Sequence, residues 1–162
     1  MTAKDLIRRN IESGYFFTRA YVEDLNDADL LVRAVPQANH IAWQLGHLIG
    51  GAHKMLTALG QPAPALPAGF AAAYTSETAA SDDAAKFATK AQYLGLMDQL
   101  KAASLAAVDA TPDGKLDDPG PEAMRQYAPT VGVVLHLLGG HWLMHAGQFV
   151  PVRRKLGKPP LF

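Results

Sequence analysis

Four stretches of the sequence repeat apolar residues at the three- and four-residue spacing of an α-helix, and this pattern most narrows the folds open to the chain. In the last stretch the repeat runs from Val131 through Leu138 and Trp142 to Phe149. No stretch shows the two-residue alternation of a half-buried strand. Capping residues, Gly60 and the prolines predict helices from Thr2 to near Glu23, from Asn39 to Gly60, and from a cap at residues 81–83 to before Pro112. The fourth runs from Thr130 to a kink or end near Phe149, caused by Pro151, with Val152 to Leu156 as a continuation.

The connections between these predicted helices differ in character. Residues 61–80 are rich in proline and alanine and form a long crossover between the second and third helices, while residues 111–129 form an irregular connection before the fourth. Four amphipathic helices that bury their apolar faces against one another predict an all-α fold, a four-helix bundle. A length of 162 residues with 49% hydrophobic and 19% charged residues predicts a single domain over residues 1–162.

The fourth helix carries the string His141-Trp-Leu-Met-His145-Ala-Gly-Gln148. Residues four apart lie on one face of a helix, so His141 and His145 could bind the same metal ion. Both lie on the apolar stripe, so their polar rings should face the interior. Buried polar rings need hydrogen-bond or metal partners. Gln148, on the same flank, could hydrogen-bond a ligand histidine or a bound water. The alternative is a pair of hydrogen-bonded core histidines.

A catalytic metal site generally takes three protein ligands, so a third ligand must come from elsewhere. The sequence has no cysteine, which leaves imidazole as the expected ligand for a transition metal. His136 is half a helical revolution from His145 and should point away, and His53 is interpreted as structural. His40 and His47 share one face of the second helix with Gln44 and Gly51, but this face lies off the apolar stripe, so spacing alone selects neither. A capping or surface role is the simpler interpretation of His40.

Two segments resemble the signature regions of the DinB-like superfamily: Trp43-Gln-Leu-Gly-His47-Leu, and the segment from Thr130 to Gln148 with its HxxxH pair. The resemblance implies a four-helix bundle in which a histidine of the second helix joins the pair of the fourth around a divalent metal ion, with Zn²⁺ or Ni²⁺ expected. Carried over by position, the metal ligands are His47, His141 and His145. The residue after the last histidine, commonly arginine in the family, is Ala146 here, so no role of that arginine carries over.

The segments that carry the histidines contain no acidic residue, either from Leu30 to Ser76 or from Ala123 to Phe162. The HxxxH pair therefore lacks the glutamate that serves as the base of HExxH metallopeptidases, which argues against a peptidase. Three neutral imidazoles leave a divalent ion its full charge and open coordination positions, a setting that activates a bound nucleophile and favours anionic ligands. Asp98, on the third helix, could still supply a base.

The superfamily that the chain resembles includes thiol-dependent transferases and a maleylpyruvate isomerase, which implies a small-molecule substrate. The expected function is that of a divalent-metal-dependent enzyme of transferase or hydrolase type, which activates water or a low-molecular-weight thiol. The alternative is a non-catalytic helical bundle that acts through dimerisation or partner binding, with structural histidines. A bound divalent ion would separate the two.

Charge and hydropathy predict where the protein acts. Fifteen basic and fifteen acidic residues give no overall field to attract nucleic acid. The sequence has no apolar run as long as a membrane span and no signal-peptide pattern at its start. We expect a cytoplasmic protein that binds neither nucleic acid nor membranes, and the resemblance together with the apolar helices suggests a homodimer.

Overall fold

The computed structural model describes residues 1–162 and consists of four long helices joined by turns and short 3₁₀ segments, without a β-strand. The 3₁₀ segments are Asp29–Leu31, Phe70–Tyr74, Ala84–Lys86, Asp113–Lys115 and Glu122–Met124. The helices are α1 (Ala3–Val22), α2 (Ile41–Ala58), α3 (Lys90–Ala110) and α4 (Val131–Lys155). The predicted four-helix arrangement, with a long crossover before α3 and an irregular connection before α4, is confirmed. No helix combines the length and the sustained apolar character that a membrane span requires.

α1 and α4 begin at the predicted caps. The Asp5 N–H donates to Thr2 Oγ1 at 3.1 Å and the Thr2 N–H donates to Asp5 Oδ2 at 2.8 Å, so a capping box pairs two amides of the first turn. At α4, Thr130 Oγ1 accepts the Val133 N–H at 3.3 Å. These side chains replace the carbonyl partners that the first turn of a helix lacks.

The predicted start of α2 is wrong by one residue, because His40 and not Asn39 is the N-cap. The His40 ring accepts the Trp43 N–H through Nδ1 at 3.0 Å. The end of α2 is as predicted: Gly60 follows its last turn with a φ of 68°, a left-handed conformation that glycine adopts without strain.

α3 begins later than predicted. Residues 81–83 do not start it, since Asp83 caps only the short turn Ala84–Lys86. Thr89 and Gln92 form the true capping box, and the helix then runs from Lys90 to Ala110, ending before Pro112 as expected. The cap that begins α3 is therefore a second polar cluster in the same stretch of sequence.

α4 does not end near Phe149 but continues through Pro151 to Lys155. Proline lacks the N–H that would donate to the carbonyl of Gly147, one turn earlier. Gly147 is exposed, so water can bond the freed carbonyl, and the helix continues past the break.

α4 packs most closely on α1, at a crossing of two glycines. A Cβ on Gly14 would lie 2.4 Å from the Gly139 carbonyl oxygen, and a Cβ on Gly139 would lie 2.5 Å from the Asn10 carbonyl. Only glycine at both positions permits this approach. The crossing fixes α4 on α1 and turns another face of α4, with His141 and His145, toward α2.

α2 is buried on more than one side. Its apolar stripe contributes Leu45, Leu48 and Ala52 to the core. The crossover covers it as well, because the Tyr74 ring lies so close to Gly46 that a Cβ there would be 2.0 Å from the ring. The Tyr74 and Tyr93 hydroxyls hydrogen-bond at 2.7 Å, which ties the crossover to α3. Side chains off the apolar stripe of α2 can therefore also be buried.

Candidate metal centre

Three histidines from two helices meet at one point of the bundle. His47 comes from α2, and His141 and His145 come from successive turns of α4. One ring nitrogen of each lies within 4.8 Å of the other two. The ring centroids are 5.1 Å apart for His47 and His141, 5.3 Å for His47 and His145, and 4.9 Å for His141 and His145. The structure thus brings together the three residues that the family resemblance selected.

The three rings differ in depth. His145 is the innermost, with 8% of its surface exposed, while His47 and His141 are half-buried. His47 faces α4 although it lies off the apolar stripe of α2, because α2 is covered on more than one side. The cluster therefore has a closed inner end at His145 and an open outer end at the other two rings.

Gln44 fixes the orientation of His145. The Gln44 side-chain amide donates from Nε2 to the Asn39 carbonyl at 2.8 Å, and this bond places Oε1 toward α4. Oε1 lies 2.8 Å from His145 Nδ1. Because an amide oxygen only accepts, Nδ1 must carry the proton, and Nε2 keeps a free lone pair. Neutral His145 with this tautomer is suited to bind a metal ion through Nε2.

Trp43 supports the His47 ring. The two rings stack with centroids 5.1 Å apart and an angle of 9° between their planes. Trp43 is held in turn by a hydrogen bond from its Nε1 to the Thr75 carbonyl at 3.1 Å. The crossover thus contributes to the cluster indirectly, by fixing the indole on which His47 rests.

The donor set fits a divalent ion. Neither the His47 ring nor the His141 ring makes a hydrogen bond to the protein, and the only one made by the His145 ring is at Nδ1. Burial lowers the pKa of all three rings, and burial together with the neighbouring histidines brings the pKa to about 4 for His141 and for His145. The rings are therefore neutral at pH 7, as metal binding requires. Partly buried neutral nitrogens without partners are what a bound ion would satisfy.

The cluster contains no carboxylate. Asp98, considered as a base from the sequence, lies on the exposed surface and pairs with Arg19 at 2.9 Å. Gln148 is exposed and makes no hydrogen bond to the cluster. The hydrogen bond that the sequence suggested between Gln148 and a ligand histidine is therefore not present. The glutamine that does contact the cluster is Gln44, three residues before His47. The signal for it was its place on the face that His40 and His47 share.

The remaining histidines lie outside the cluster. His136 is exposed, as predicted from its half-revolution offset. His40 is a cap, as one interpretation had it, but it is fully buried and not on the surface. Its Nε2 lies 3.0 Å from the Ser81 carbonyl, so both of its nitrogens are used in hydrogen bonds. His53 borders a cavity beside the cluster.

Two cavities meet at the open end of the cluster, and His47, Gly51 and Lys54 border both. The narrow cavity has a volume of about 400 Å³ and also reaches His141. The wide cavity, of about 930 Å³, extends along the crossover to Tyr74. Small molecules can thus approach the histidines from two directions.

Comparisons with known proteins agree with this fold. A family model described as the DinB superfamily matches residues 17–149, a region that contains all three histidines. A crystal structure of a conserved protein from Enterococcus faecalis is similar, with a TM-score of 0.70 over 98% of this chain and 99% of that chain, at 14% sequence identity. At this identity the likeness shows a shared fold. No curated protein matches the sequence.

Proposed function

The chain belongs to the DinB superfamily, and on this basis we propose that it is a divalent-metal-dependent enzyme that activates a low-molecular-weight thiol or water. The observation that carries the proposal is the cluster of His47, His141 and His145, three neutral imidazoles with no carboxylate beside them. Such a donor set suits Zn²⁺ or Ni²⁺. When bound, the ion supplies a Lewis acid that lowers the pKa of a coordinated thiol or water.

The residues around the cluster have separable tasks in this proposal. Gln44 holds His145 in one tautomer, and the stacked Trp43 limits rotation of the His47 ring. Lys54 and Tyr127 are the remaining polar side chains of the narrow cavity, where they can orient a substrate. No protein carboxylate is available to take a proton there, which favours a nucleophile that is already deprotonated near neutral pH.

The paired cavities support a transferase over a hydrolase. A thiol transferase must admit two different organic molecules to one centre, whereas a hydrolase must admit one and water. Two openings that share His47 and Lys54 meet the first requirement. The reaction class that we propose is therefore transfer of a carbon group from an electrophile to a small thiol. A C–S bond forms, the bond between that carbon and its leaving group breaks, and the thiol proton passes to the leaving group or to water.

Metal content tests the site directly. Protein purified without a histidine tag, or reconstituted, should contain about one divalent ion per chain by elemental analysis, and chelation should lower its melting temperature because binding is linked to folding. Replacing His47, His141 or His145 by alanine should abolish stoichiometric binding, with His136→Ala as the matched control. Stoichiometric binding that survives His47→Ala, or no binding of zinc, nickel, cobalt or manganese, would contradict the proposed site.

Activity tests the chemistry. Metal-loaded protein incubated with a panel of small thiols and electrophiles should consume free thiol and form a thioether, and His145→Ala should remove this activity while His136→Ala keeps it. Hydrolysis of the electrophile without thiol consumption would identify a hydrolase. Metal binding without either reaction would favour the non-catalytic alternative.

A further inference from the structure

The walls of the narrow cavity are mostly apolar. Three of the five methionines of the chain, Met55, Met124 and Met144, line it together with Leu137. Methionine side chains are flexible and polarisable, so they adapt to apolar ligands of different shapes. The volume of about 400 Å³ lies within the range of small-molecule sites. These walls suit the apolar body of an organic ligand.

The mouth of the cavity exposes two large side chains. Met144 is 60% exposed and Tyr127 is 62% exposed, whereas the bulk of the large apolar residues are buried. Met144 lies on α4 one turn after His141, and both side chains line the cavity. A ligand in the cavity would cover the apolar surface of Met144 and gain the free energy of its burial.

The charge at the cavity is positive only. Lys54 is its single charged side chain, and it lies seven residues after His47, two turns along the same side of α2. All nine lining residues come from residues 30–76 and 123–162, which contain no aspartate or glutamate. Lys54 takes part in no ion pair. An anionic group in the cavity would give Lys54 its first ion-pair partner.

We propose that the narrow cavity binds an amphipathic organic anion, with its carboxylate beside Lys54 and its apolar body against Met55, Met124 and Met144. That this molecule is the electrophilic substrate rests on the proposed function. Its binding does not, because the methionines and Lys54 are present with or without a metal ion. The wide cavity, which none of the three methionines lines, is left for the thiol.

Calorimetric titration with straight-chain monocarboxylates from butanoate to decanoate, and with the matched primary alcohols, tests this site. In metal-free protein, affinity should rise by about fourfold per methylene until the cavity is filled. The carboxylates should bind about fivefold more tightly than the alcohols of equal length. Metal-free protein is used because carboxylates can also bind a metal ion directly.

Four variants test whether the anion preference is due to Lys54. Lys54→Met should remove the difference between carboxylate and alcohol while leaving the dependence on chain length, and Lys54→Arg should keep both. Lys101→Met, at a lysine that lines neither cavity, is the matched control and should behave as the unchanged protein. Met144→Glu removes part of the apolar wall and adds a negative charge, so it should weaken the alcohols and weaken the carboxylates more.

Equal affinity for carboxylates and alcohols, or no dependence on chain length, would overturn the proposal, and so would an unchanged preference in Lys54→Met. Elemental analysis of the same protein after reconstitution with a divalent metal separates this result from the fate of the proposed function. One metal ion per chain without carboxylate binding leaves the metal centre standing and removes this cavity as the substrate site. Carboxylate binding in a protein that takes up no metal leaves the cavity standing as an anion site and removes the metal centre.

Discussion

At the scale of single residues, Gln44 has the clearest task. It is 2% exposed and uses both ends of its amide, one on Asn39 and one on His145. A hydrogen bond at Nδ1 restrains the ring and directs Nε2 toward His47 and His141. Loss of such an outer partner typically weakens metal binding by one to two orders of magnitude.

We therefore expect Gln44→Ala to weaken metal affinity by about 10- to 100-fold, because His145 loses its restraint. Gln44→Glu, whose carboxylate can accept the same bond, should retain most of the affinity. Competition with a chromophoric chelator measures both, and the absorption spectrum of the Co²⁺ form reports whether the coordination geometry changes. Gln148→Ala, at the exposed glutamine, is the control. If Gln44→Ala binds metal as tightly as the unchanged protein, the hydrogen bond to His145 is not a determinant of the site.

Acid should destabilise the metal-free protein through the buried histidines. Their folded-state pKa values lie below the ordinary 6.5, at about 4 for His141 and for His145, so the unfolded chain binds protons more readily than the fold does. The stability that comes from keeping these rings neutral is present above pH 6.5 and is lost as the pH falls toward 4. His40, whose pKa burial also lowers, adds to the loss in the same window.

The free energy of unfolding of metal-free protein, measured by denaturant titration, should fall by about 2 kcal/mol or more between pH 6.5 and 4.5. His141→Gln removes one titrating ring and should show a shallower decrease over this range, while His40 contributes equally to both proteins. An identical slope in the variant would show that His141 does not titrate below its ordinary range.

The residues of the cluster were predictable to different degrees. The spacing of His141 and His145 was sufficient to pair them, because one helix determines their relation. His47 could be named only through the family resemblance, since its position depends on how α2 crosses α4. Gln44 was missed because its contact to His145 spans 101 residues of sequence, a relation that no local pattern contains.

At the scale of helices, the glycines of α4 have opposite roles. A Cβ at Gly139 would meet the backbone of α1 at Asn10 at 2.5 Å, whereas a Cβ at Gly147 would meet nothing within 4 Å. Backbone atoms cannot rotate away as a flexible side chain can. The first glycine is required by packing, and the second only weakens the helix.

Gly139→Ala should therefore destabilise the protein by about 1–3 kcal/mol, since α1 and α4 must separate to admit the methyl group. Gly147→Ala adds the same methyl group to the same helix and should stabilise the protein by about 0.5–1 kcal/mol through helix propensity. Chemical denaturation of the two variants measures both signs. A neutral Gly139→Ala would mean that the crossing of α1 and α4 can relax without cost.

The same crossing explains why the buried face of α1 differs from its apolar spacing. That spacing alone predicts Leu6, Phe17 and Tyr21 on the buried face, but Leu6 is exposed and the other two are only half-buried. The buried positions include Gly14 and Thr18 instead. Small and weakly polar residues give no hydrophobic signal, although they allow the closest approach of two helices. Helix boundaries could be predicted where one capping residue was available. They were ambiguous where two polar clusters lay close together, as at Asp83 and Thr89 before α3.

At the scale of the whole molecule, α4 is held at two places by different means. The histidine cluster relates it to α2, and its last turns are tied to the end of α1. Arg153 is 2% exposed, pairs with Asp24 and donates to the Tyr21 carbonyl at 2.9 Å. A run of basic residues at the end of a helix, as in Arg153 to Lys155, is typical of a solvated helix terminus, but Arg153 is buried. Its partner lies 129 residues away, so only the packing of α4 on α1 reveals it.

Because these two attachments of α4 lie apart, the stability of the fold and the affinity of the metal site should be separable by mutation. Arg153→Leu removes hydrogen bonds to a charged group and should cost about 2–3 kcal/mol, or about 5–10 °C in melting temperature. It should leave metal affinity unchanged, because Arg153 lies eight residues from His145, about 12 Å along the helix. His141→Ala should do the opposite in metal-free protein, with little loss of stability and no metal binding.

Sites more than about 10 Å apart and without shared partners usually act additively. The double variant Arg153→Leu with His141→Ala should therefore show the sum of the two stability changes, measured without metal by denaturant titration. A large non-additive term, or a loss of metal affinity in Arg153→Leu alone, would mean that the anchor of α4 on α1 also sets the position of the histidines. In that case the geometry of the metal centre would depend on the whole length of α4, and not on its crossing with α2.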